Sequence, residues 1–102
     1  MSGKLTPEKL AAELAEGRIV AMPLRQWEEL APAFPEVSRT PTGMGAPILL
    51  VRRPQPGKKA LGWAIVEESK PGERVIRPLG SRKEAQTLIG ERLAAYERMW
   101  DG

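Results

Sequence analysis

The chain has 102 residues, 41% of them hydrophobic and three of them Trp, which is enough for one domain spanning residues 1–102 to bury a core without cross-links. It contains no Cys and no His, so thiol nucleophiles, zinc centres built on those ligands and imidazole acid–base chemistry are excluded. The formal net charge of +3 is uneven, with −2 over residues 1–36, +7 over residues 37–83 and −2 over residues 84–102, an asymmetry that points to an anionic partner.

There is also no Asn, one Asp stands against twelve Glu, and Pro occurs ten times, a thermophile-like composition. No apolar run exceeds the six residues Ala46–Val51, so neither a membrane-spanning helix nor a secretory signal is expected, and the chain reads as a soluble cytoplasmic protein.

The first element begins at Thr6-Pro7-Glu8-Lys9. Thr6 can cap free amides, Pro7 suits the first helical position, and Glu8 meets the positive end of the helix dipole. Leu5 and Leu10 stand at the two positions of a hydrophobic staple, Leu10 and Leu14 share a face, and Gly17 stops the helix. Arg18–Met22 reads as a short strand before Pro23, and Pro23–Ala31 as a second short helix with Trp27, Leu30 and Ala31 on one face. Residues 32–46 read as a loop.

Three strands are expected next. Pro47–Arg53 is apolar on both faces, Ile48 and Leu50 on one and Leu49 and Val51 on the other, as in a central strand covered on both sides. Leu61–Glu68 sets Trp63 and Ile65 against Ala64 and Val66. After the turn Lys70-Pro71-Gly72-Glu73, Arg74–Leu79 puts Val75 and Leu79 on one face. Ser81-Arg82-Lys83-Glu84 is a capping box, and Ala85, Leu88, Ile89, Leu93, Tyr96, Met99 and Trp100 recur at helical spacing over about Arg82–Met99. Gly90 within that helix suits a close approach to a strand.

The expected class is therefore α+β in the order α-β-α-β-β-β-α, with a long C-terminal helix packed on a mixed four-stranded sheet. The helix-bearing connection after the first strand is long enough for a right-handed parallel crossover. Should all helices take one face of the sheet, a partner subunit would cover the other.

Arg52-Arg53-Pro54-Gln55-Pro56-Gly57-Lys58-Lys59 puts four positive charges in eight residues with no acid. Arg52, Arg53, Lys58 and Lys59 are the candidate polyanion-binding residues, and Arg39, Arg74, Arg77, Arg82 and Lys83 could extend the patch, with Trp63 as the nearest aromatic. The alternative is a proline-glycine turn whose bases keep the strand ends soluble and unpaired. Arg82 and Lys83 at a helix N-terminus could also hold an anion, although Glu84 competes for the same amides. Thr42-Gly43-Met44-Gly45-Ala46 lacks the strand-loop-helix context of a phosphate loop.

Glu67-Glu68 and Glu28-Glu29 are adjacent pairs whose side chains diverge, so neither forms a two-carboxylate unit. No catalytic, metal or cofactor-binding residue is expected, and no cofactor. Met99 and Trp100 are the candidate interface residues, on the view that a terminal Trp either closes the core or packs across a dimer.

The run Gly-Trp-Ala-Ile-Val from Gly62, a turn, Arg-Val-Ile-Arg-Pro-Leu and Ser-Arg-Lys-Glu-Ala-Gln resembles the strand–strand–helix units of small bacterial proteins, including the arm-type DNA-binding domains of phage integrases. That resemblance implies a sheet that enters a DNA groove. It covers about a third of the chain, and Leu79-Gly80 stands where those units often place an aromatic before the cap. No functional residue is carried over. As a whole the chain looks more like small bacterial α+β families of unassigned function. The leading expectation is a non-catalytic binding or protein-interaction domain that self-associates as a homodimer or takes a protein partner. The alternative is a nucleic-acid-binding module using the basic hairpin. An enzyme would need a site assembled from distant residues, and no membrane association is expected.

Overall fold

The computed structural model describes residues 5–43 and 45–101, without the side chains of residues 100 and 101. Helix α1, Pro7–Ala15, starts where the sequence signals it, with the Lys9 amide donating to Thr6 Oγ1 at 3.2 Å. Its face of Leu10, Ala11 and Leu14 is buried. Strand β1, Val20–Pro23, leads into α2, Leu24–Leu30, and a 310 turn at Ala31–Ala33. Strands β2, Glu36–Thr40, β3, Ile48–Arg53, β4, Gly62–Lys70, and β5, Glu73–Leu79, follow, and α3, Arg82–Asp101, closes the chain.

The sheet has five strands in the order β1-β5-β4-β3-β2, and every pairing is antiparallel. This corrects the expected mixed four-stranded sheet in two respects. Residues 32–46 are not all loop, because Glu36–Thr40 pairs with β3, with a register shift between Glu36 and Ser38 that leaves Val37 as an extra residue. The first strand is not the start of a parallel crossover, because β1 takes the free side of β5, Val20 opposite Ile76. From β1 the chain crosses the whole sheet to the opposite edge through α2 and the 310 turn. The α2 start is anchored where the Leu24 amide donates to Gly72 O at 2.8 Å.

Both faces of the sheet are covered by the chain itself. On one face Leu10 and Leu14 of α1, Trp27 and Leu30 of α2, and Phe34 pack with Met22, Val51, Ala64, Val66 and Ile76 of the strands. The rings of Trp27 and Phe34 lie 5.7 Å apart. On the other face Ile48, Leu50 and Ile65 are buried against Ala85 of α3, with Trp63, Leu79, Leu88 and Ile89 around them. The doubly apolar β3 thus needs no partner subunit. Each Leu or Ile closed in this way contributes about 1.5–3 kcal/mol.

The expected long packed stripe of α3 is shorter than its sequence pattern. Ala85, Leu88 and Ile89 meet the sheet and the Arg92 guanidinium reaches Glu67 at 2.7 Å, but Met99 is 63% exposed. The Trp100 side chain lies outside the described residues. No helix among the described residues is long and apolar enough to cross a membrane.

Candidate polyanion-binding end

Antiparallel pairing brings the end of β3, the start of β4, the end of β5 and the start of α3 to one end of the sheet. Arg52, Arg53, Lys58, Lys59, Arg82 and Lys83 therefore share that end, although up to thirty residues separate them in sequence. The hairpin between β3 and β4 is held by Gln55, whose side chain donates to Ala60 O at 2.8 Å and whose carbonyl accepts from the Lys58 amide at 3.0 Å. Lys58 and Lys59 are exposed and make no ion pair among the described residues. Arg82 and Lys83 are exposed at the start of α3, where the Glu84 amide donates to Ser81 Oγ at 3.1 Å, the hydroxyl half of the expected capping box.

The two arginines of the hairpin are not equivalent, because neighbours on a strand point to opposite faces. Arg52 lies on the α3 face, its guanidinium carbon 4.0 Å from the centroid of the Trp63 ring. Its Nε donates to Gly62 O at 3.1 Å and its Nη2 to Leu61 O. Carbonyls and ring fix the guanidinium over the indole, a cation–π contact worth ~0.5–1 kcal/mol at a partly exposed site.

Arg53 turns to the α1 face and is only 8% exposed. Its Nε donates to Trp63 O at 2.7 Å, while its Nη1 is buried without a partner. Burial pushes its pKa down from the ordinary arginine value, because the charged form is the one that loses water. Its guanidinium passes over Gly62, where a β-carbon would stand 2.9 Å from Cζ. Arg53 is thus a structural residue, and the four-charge hairpin presents three of its charges to solvent.

The other bases of the charged middle segment divide. Arg39 is tied to Glu36 on β2, with Nε–Oε2 at 3.1 Å and Nη2–Oε1 at 2.8 Å, and this contact holds the Glu36 carboxyl below its usual range. Arg74 sits at the far end of the sheet beside Glu68, at 3.5 Å. Arg77 faces α3 and lines a cleft there with Lys83. Sequence reasoning grouped Arg77 with the surface bases. The signal that it points inward was its position between Val75 and Leu79 on one face of β5.

Among the described residues the adjacent carboxylates Glu67 and Glu68 do not form a reactive pair. Glu67 is engaged by Arg92, and Glu68 accepts from the Ala46 amide at 3.0 Å on the opposite face. Among the described residues no group of three or more acids could hold a metal ion. This end carries exposed positive charge, a guanidinium over an aromatic ring, and a hairpin tip free of acids. No family model, curated protein or solved structure matches the chain.

Proposed function

We propose that this chain is a non-catalytic binding domain that grips single-stranded nucleic acid, in the cytoplasm, at the Arg53 end of its sheet. The observation that carries the reading is the Arg52–Trp63 stack, 4.0 Å from guanidinium carbon to ring centroid, flanked by the exposed Lys58, Lys59, Arg82 and Lys83. Lysines and arginines follow phosphates through charge, and an unpaired base continues a stack on the outer face of a flat guanidinium. The closure of both faces of β3 by the chain's own helices removes one argument for a partner subunit.

The test is fluorescence anisotropy with a labelled single-stranded oligonucleotide, alongside the same sequence as a duplex. The single strand binds more tightly, and Arg52→Lys, which keeps the charge and loses the plane, weakens it by about tenfold. Absence of binding at low salt would end this reading. A second reading rests on Met99, 63% exposed on α3 next to Trp100, which fits a homodimer contact. Sedimentation of a compact monomer at every concentration would count it out.

A further inference from the structure

An open cleft of about 450 Å³ runs between β5 and the first half of α3, lined by Leu79, Leu88 and Arg77 among others. Arg77 projects from β5 on the face that α3 covers. It is half-buried, and its Nε is buried with no hydrogen-bond partner. The rest of its guanidinium makes no hydrogen bond or ion pair among the described residues. A buried N–H without an acceptor is unfavourable, and the unpaired terminal nitrogens stay open to the cleft, so the arrangement favours an anion.

The two carboxylates that line the same cleft do not answer it. Glu84 folds back over Gly80, its Oε2 2.7 Å from where a β-carbon of residue 80 would stand. Glu91 lies two turns further along α3, and neither acid forms an ion pair with Arg77. With Lys83 at the same cleft, the formal charges of the lining cancel, two bases against two acids. That balance favours a single negative charge over a double one.

We propose that this cleft binds a small organic acid, with one planar carboxylate received by Arg77 and a ring-sized apolar body between Leu79 and Leu88. A guanidinium presents its donors as a fork that matches both oxygens of a carboxylate, and the Thr87 side chain on the same lining offers a further donor. A phosphate monoester carries up to two charges at neutral pH and meets Glu84 and Glu91 less favourably. The carboxylate contact is separable from the nucleic-acid reading, since Arg77 is not among the cations given to phosphates, although Lys83 borders both sites.

The experiment is a titration of nitrogen-labelled protein with benzoate and 3-phenylpropionate, following the Arg Nε–Hε signals and the amides of Leu79, Ser81 and Leu88. Benzamide and phenyl phosphate serve as the neutral and doubly charged counterparts. The expected result is a saturable shift with a millimolar dissociation constant, fitting for ligands of this size, and binding at least about tenfold weaker for benzamide, as loss of a charge-assisted bond implies. Arg77→Lys keeps the charge without the fork and weakens benzoate by about tenfold. Benzamide binding as well as benzoate, or shifts that never saturate, would overturn the site. Phenyl phosphate binding more tightly than benzoate would overturn the carboxylate assignment. The benzoate–benzamide comparison needs no variant, so it holds even if Arg77→Lys fails to fold.

Discussion

Replacing Lys58 and Lys59 together by Ala separates charge from structure, because both are exposed at the hairpin tip and make no ion pair among the described residues. If the four free cations Lys58, Lys59, Arg82 and Lys83 each meet one phosphate of a single strand, the logarithm of affinity falls against the logarithm of salt with a slope of about −2.8. Between 50 and 200 mM salt, wild-type affinity then falls roughly 50-fold. The double variant keeps two contacts, so its slope is about −1.4 and the same change of salt costs it only about sevenfold. Its melting temperature stays close to wild type, since surface substitutions of this kind move stability by about 0.5 kcal/mol or less. The assay is anisotropy of one labelled oligonucleotide at four or more salt concentrations. A wild-type slope near zero, or a variant slope equal to the wild type's, would refute the assignment of these lysines to phosphates.

Two further predictions concern residues around the site. Gly62→Ala sets a β-carbon 2.9 Å from Arg53 Cζ and disturbs the bond to Trp63 O, so thermal unfolding reports a loss of about 1–3 kcal/mol. Arg53→Met removes a buried charge that lacks a full set of partners, is expected to be neutral or stabilising, and abolishes the cost of Gly62→Ala. Additive effects in the double variant would mean the two residues do not touch.

Glu36 carries the pH prediction. Its hydrogen bond from Arg39 lowers its pKa in the folded chain, so its contribution is present above the unfolded value and is lost as pH falls through the depressed folded one. Exposure of both side chains keeps that contribution small. An NMR titration finds Glu36 below its usual range of 4.5 and returns it there in Arg39→Ala; an unmoved Glu36 would show that the pair does not form in solution.

The parts of this fold that the sequence makes legible are those decided within a few residues. The Thr6 and Ser81 caps, the two faces of β3 and the alternation of β4 all follow from local chemistry. β2 is not local. Glu-Val-Ser-Arg-Thr carries one large apolar residue, Val37, which sits 39% exposed at the register shift, so only pairing with β3 makes the segment a strand. The direction of β1 was hidden for a similar reason, since a long connection permits a crossover and does not require one.

At the site, charge density revealed the basic end, and the fold separated its members. Arg53 is buried where residue type argues for solvent, and the hint lay in its partner position, Gly62, which leaves room for a guanidinium. Arg77 was visible only as one more base until its neighbours on the strand face were counted as inward.

The two borders of the sheet bear on how copies of this chain can meet. β1 is four residues long and ends at Pro23, which has no amide to offer. β2 is five residues long, broken by the extra Val37 and crossed by the Glu36–Arg39 pair. Both borders are poor templates for another strand, which works against ribbon-like aggregation through the sheet. Contacts between copies are then favoured at the helices or the charged end over the two sheet borders.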